Sequence, residues 1–90
     1  MREIEPTFEI EYEGLTANVG EHDIQDTRIF HIAFGDKRKP LVITVAEGPG
    51  NKRWWTSVPQ GRQSEAEQIG KLIAAYIRAK RKARLNHVLL

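Results

Sequence analysis

Apolar and acidic residues alternate without a break at the start of the chain. In Thr7-Phe8-Glu9-Ile10-Glu11-Tyr12-Glu13 every second position is apolar, the period-two signature of a strand with one buried face. Phe8, Ile10 and Tyr12 belong to a core and the glutamates to water. At Gly14 the apolar phase slips by one residue, to Leu15, Ala17 and Val19. Such a slip needs a turn or a bulge, and Glu13-Gly14 is a fair tight-turn pair. Gly20 to Thr27 reads as a polar loop. Further strands are expected at Ile29 to Phe34, Leu41 to Glu47 and Arg53 to Val58. Gly35 to Pro40 makes a basic connection between the first two. Gly48-Pro49-Gly50-Asn51 makes a turn, in which Pro49 presets φ and Gly50 accepts a positive φ. Short connections of this kind favour an antiparallel meander.

The period then changes from two to that of a helix. Ser64-Glu65-Ala66-Glu67 has the spacing of a capping box, and Ala66, Ile69, Leu72, Ile73, Tyr76 and Ile77 recur on one helical face. Beyond Ile77 the stripe positions pass to Lys80 and Arg84, so the helix outruns the core there. The expected fold is α+β, a single domain over residues 1–90. Four or five antiparallel strands between about residues 6 and 58 form a meander sheet. It packs against one long C-terminal helix at about 64–84, and an apolar tail follows at 85–90.

Composition supports one core and removes several kinds of chemistry. Ile, Leu, Val and Phe occupy 23 of 90 positions, above the roughly 20% below which chains stay disordered. A chain of this size holds one modest core and has no room for a second domain. It has no cysteine, hence no disulfide framework, zinc knuckle or thiol nucleophile. The apolar run Leu41-Val42-Ile43-Thr44-Val45-Ala46 is far short of the ~20 residues that span a bilayer. The polar start Met1-Arg2-Glu3-Ile4-Glu5-Pro6 is not a secretory signal. A cytoplasmic protein without a membrane partner is expected.

The net charge of +2 conceals a separation. Residues 1–26 hold eight acids against Arg2 alone, a net of −7. Residues 27–57 hold six basic and two acidic groups, and residues 58–90 seven basic and two acidic. An acidic third is joined to a basic two-thirds, so an anionic partner is expected on one side of the molecule only.

Catalytic chemistry finds little support, and a non-enzymatic protein without metal or cofactor is expected. His22, His31 and His87 lack the pairing of a metal site. His22-Asp23 beside Asp26 reads as a solvated loop, and His31 as a structural strand residue. Gly48-Pro49-Gly50 lacks the lysine and hydroxyl of a phosphate loop. Nucleic-acid binding, single- or double-stranded, has more to offer. The cations Lys37, Arg38 and Lys39, Lys52 and Arg53, and Arg78, Arg81, Lys82 and Arg84 form three clusters, and phosphate contacts draw affinity from counterion release. Trp54 and Trp55 are neighbours on a strand, so one enters the core and the other faces outward. An outward Trp beside Arg53 offers a stacking surface for an unpaired base.

The alternative is a protein-interaction module. Ile29 and Ala33 lie opposite Phe30, Ile32 and Phe34, and Val42 and Ala46 lie opposite Leu41, Ile43 and Val45. Both strands are apolar on two faces, whereas one helix covers one. A second copy of the chain, forming a homodimer, or the tail 85–90 would shield the other.

The runs Lys39-Pro40-Leu41-Val42-Ile43, Arg53-Trp54-Trp55-Thr56-Ser57-Val58-Pro59-Gln60-Gly61-Arg62 and Glu67-Gln68-Ile69-Gly70-Lys71-Leu72-Ile73 resemble small uncharacterised accessory proteins of temperate enterobacterial phages and prophages. The resemblance covers about the C-terminal half of the chain. It implies a biological setting, with a host or phage protein as a partner, and supplies no catalytic residues.

Overall fold

The computed structural model describes residues 6–89, with side chains as far as residue 84. Five strands precede one α-helix: β1 (Phe8–Tyr12), β2 (Leu15–Ile24), β3 (Thr27–Phe34), β4 (Leu41–Glu47), β5 (Arg53–Ser57) and α1 (Gln63–Leu89), with a single 3-10 turn at Pro49–Asn51 between β4 and β5. The strands pair in chain order, each antiparallel to the next. The sheet curls around the helix, giving the α+β meander that the periodicities predict.

Register explains the core. Phe8, Val19, Ile32 and Leu41 lie side by side across four strands. In the next row Phe30 and Ile43 stand between Glu21 and Ser57. Ala66, Ile69, Ile73 and Ile77 of α1 close onto this concave face, and all but Ile77 are completely buried. Each large aliphatic side chain so enclosed contributes about 1.5–3 kcal/mol. At the β1 edge the Phe8 and Tyr76 rings stack 3.9 Å apart and nearly parallel, tying the helix to the first strand.

The first hairpin turns at Glu13-Gly14, both with positive φ (53° and 78°). This is the backbone that suits the strand twist of a two-residue hairpin. The polar loop expected at Gly20 to Thr27 is not a loop. β2 continues to Ile24, Gln25 and Asp26 make a second two-residue turn (φ 51° and 64°), and β3 starts at Thr27. The obscuring residue is Glu21, which takes the next inward position after Ala17 and Val19. Its side chain is fully enclosed, with its carboxylate against the Arg28 guanidinium: Nε to Oε2 is 2.9 Å and Nη2 to Oε1 is 3.3 Å. A paired carboxylate keeps the strand phase while hiding it from a hydrophobicity pattern.

The helix also starts differently from the capping-box expectation. Ser64 and Glu67 lie inside its first turns, where Ser64 Oγ accepts from Gln68 Nε2 (3.4 Å) and Glu67 Oε1 from Gln63 Nε2 (3.2 Å). Arg62 immediately precedes the helix, and its carbonyl accepts the Ala66 N–H at 3.0 Å. The helix runs on to Leu89, past the expected end near 84. The apolar side chains of the tail 85–90 lie outside the described residues.

Leu72 sits at the border of the helix stripe, 37% exposed, and buried Gly70 takes the place expected of it. Trp55 enters the concave face and Trp54 the convex one. A Cβ placed on Gly70 would fall 2.2 Å from the Trp55 ring, so the absence of a side chain lets helix and strand approach with an indole between them.

Gly70→Ala therefore opposes two effects. Alanine is the better helix former by about 1 kcal/mol, but overpacking of this kind costs about 1–3 kcal/mol. Urea denaturation is expected to show a lower midpoint for the alanine variant. An unchanged or raised midpoint would mean that the Trp55 contact does not constrain the helix.

Candidate functional site

A meander alternates its connections between two ends of the sheet. The β1–β2 and β3–β4 connections share the end where α1 begins. The β2–β3 and β4–β5 turns share the other, where the C-terminal half of α1 passes. The three cationic clusters divide between these ends.

Lys37, Arg38 and Lys39 lie at the first end, and Arg38 is engaged in structure there. Its guanidinium lies 5.0 Å from the Phe34 ring centre and 5.8 Å from that of Tyr12. Its Nη1 donates to Glu13 Oε1 at 3.0 Å. Arg62 completes this clamp. It forms a fork with Glu65 (Nε to Oε1 2.8 Å, Nη2 to Oε2 3.0 Å) and donates to the Lys39 and Pro40 carbonyls at 3.1 and 2.8 Å. Its backbone N–H donates to Ser57 Oγ, one residue thus joining the β3–β4 connection, the end of β5 and the helix start. The hydrogen bonds from Arg62 hold the Glu65 carboxyl below its ordinary value and raise Arg62 in turn. Burial, with the Glu13 and Glu65 carboxylates, pushes the Tyr12 phenol up.

At the second end the sheet and helix diverge and leave a groove of about 670 Å³ on the concave face. Phe30, Val45 and Trp55 line it from the strands and Ile73, Ala74 and Ile77 from the helix. Val45 occupies an inward position yet is 41% exposed, because the helix does not cover it. The Phe30 and Trp55 rings meet 5.7 Å apart at a tilt. Four arginines stand around this apolar floor: Arg28 from β3, Arg53 from β5, and Arg78 and Arg81 from α1. Asp26 and Glu47 are the acids of the same lining. Arg53 is 3.6 Å from Glu47, with both side chains largely exposed, so that pair holds the arginine weakly. Arg28 is held firmly, by buried Glu21 beneath it and by the Phe30 ring, 4.9 Å from its guanidinium carbon.

The structure thus brings Arg53, Trp55, Arg78 and Arg81 together across the fold. Lys52 adjoins them, and Lys82 and Arg84 continue the basic run on the exposed helix. Lys37, Arg38 and Lys39 are separate. Trp54 is 44% exposed, with its ring against the Gly48 backbone on the convex face. Arg53 points to the opposite face, and no Lys or Arg occupies a strand position on the convex side among the described residues. Arg28, Glu21 and Phe30 were not legible as site residues. The only signal was that Glu21 continues the spacing of Ala17 and Val19. Among the described residues, no group of three or more His, Asp or Glu is placed to hold a metal, and no helix is long and apolar enough to cross a membrane.

No protein-family model, curated protein or solved structure matches the chain.

The Arg62–Glu65 fork makes stability depend on acidity. A carboxyl lowered in the folded state binds fewer protons there than when unfolded, so the fork's contribution is complete above the ordinary value of 4.5. It is lost as pH falls through the lower folded value. Urea midpoints measured across this window are expected to decline on acidification, and less steeply in Glu65→Gln. Parallel declines in the two proteins would assign the acid sensitivity to other carboxylates.

Proposed function

We propose that this chain is a non-enzymatic module that binds nucleic acid through the end of the molecule where the helix leaves the sheet. The observation that carries the reading is the convergence of Arg53 with Arg78 and Arg81 on one groove. Three cations from distant parts of the chain, with Lys52, Lys82 and Arg84 around them, give the closely spaced positive charge that phosphates require. Asp26 and Glu47 share this lining, where four arginines outnumber them, and the acids of β1, Glu9 and Glu11, take the exposed positions of their strand, facing away from the core. An accessory role in a phage or prophage setting is in keeping with such an activity, as is a cytoplasmic location.

A second reading, self-association through the convex face, is favoured by the exposed Trp54 beside half-buried Ala46, Val42 and Ile29, on a face whose strand positions hold no Lys or Arg among the described residues. Light scattering of the full chain and of Trp54→Glu tests it. A dimer that Trp54→Glu converts to monomer supports the reading, and a monomeric parent protein removes it.

Fluorescence anisotropy with labelled single- and double-stranded oligonucleotides at several salt concentrations tests the main proposal. Binding is expected to weaken steeply with salt. The double variant Arg78→Ala/Arg81→Ala is expected to lower the slope of log affinity against log salt by about two. Absence of binding at low salt ends the proposal, and an unchanged slope would move the contact away from this end.

A further inference from the structure

Resting on that reading, we propose that the groove takes one unpaired nucleobase, so that the protein prefers single-stranded nucleic acid or open ends to duplex. A site for phosphates alone would be a charged surface. This one has an apolar floor of Phe30, Trp55, Val45 and Ile77 beneath its arginines, and an ionic ligand has no use for such a floor. The occupant that matches both parts is a flat, weakly polar ring carrying an anion on a short linker, which describes a nucleotide within a strand. About 670 Å³ lies within the range of small-molecule sites and is far too small for a stacked base pair with its backbone. A duplex keeps its bases inside and reaches only the rim.

Arg28 shows that part of this site is already in place. Its guanidinium is fixed on the groove wall by Glu21, whose side chain is completely enclosed, and by the face of Phe30. The contacts to Glu21 use its Nε and Nη2. A cation held in this way loses little freedom when it binds. Trp55, half-buried between Gly70 and the groove, reports directly on occupancy.

The experiment uses Trp54→Phe, in which Trp55 is the sole tryptophan. It is titrated at low salt with a short oligothymidylate and with a duplex of equal length. Anisotropy of the labelled nucleic acid gives affinity, and Trp55 emission reports the groove. The oligothymidylate is expected to quench Trp55 and to bind at least about tenfold tighter than the duplex, the ratio that one stacked base supplies. The duplex is expected to bind without quenching. Val45→Phe, added to fill the groove from the sheet side, should abolish both the quench and the preference while leaving duplex affinity within about twofold. Ala74→Phe fills it from the helix side and serves if the first variant fails to fold. Equal affinity for both nucleic acids, or a preference that survives a filled groove, overturns the base-pocket proposal and leaves phosphate binding intact. Failure of the parent protein to bind either one overturns both.

Discussion

The close approach of α1 to β5, possible only because Gly70 presents no side chain to Trp55, governs the rest of the molecule. A helix that meets the sheet over Trp55, and again where Tyr76 stacks on Phe8, must cross the concave face obliquely. It seals the rows built on Ile32, Leu41 and Ile43 and leaves Val45 uncovered at the far end. The groove is thus a consequence of how the core is closed. It needs no insertion or lid, only a helix longer than the face it covers.

Arginine serves two purposes at the two ends of this fold. At the helix start, Arg62 and Arg38 have their donors turned inward, to Glu65, Glu13 and the carbonyls of residues 39 and 40. They close the end of the barrel-like sheet and are poor candidates for an outside partner. At the helix exit, Arg53, Arg78 and Arg81 stand around an opening, and only Arg28 is anchored to a buried acid. The same residue type is structural where its partners are close and partly buried, and becomes a candidate for binding where, as at Arg53, the partner is exposed and holds it weakly.

Much of this fold could be read from periodicity. Strand β4, the Glu13-Gly14 turn, the switch to a helical period and the opposed directions of Trp54 and Trp55 all follow from spacing alone. What escaped was wherever a polar group does the work of an apolar one. Glu21 is buried but charged, so β2 and the start of β3 read as a loop. Gly70 sits in the core stripe but has no hydrophobicity, so Leu72 took its place in the pattern. The candidate site was legible only as a list of cations and the neighbouring Trp54 and Trp55. Which of them share a groove depends on the strand order and on the end at which each turn falls, and neither is a local property. Arg28 could not be found without its partner seven residues earlier, across the turn.

On the proposed reading the concave groove, rather than the exposed tryptophan or the basic β3–β4 connection, meets nucleic acid. The two indole N–H groups make this directly observable by NMR, since Trp55 lines the groove and Trp54 lies on the other face. On titration with oligothymidylate, the Trp55 indole and the amides of Val45, Ala74 and Arg78 are expected to shift together, with Trp54 and Lys37 to Lys39 unmoved. Shifts confined to Trp54 and the convex strands, or to Lys37 to Lys39, would contradict the account.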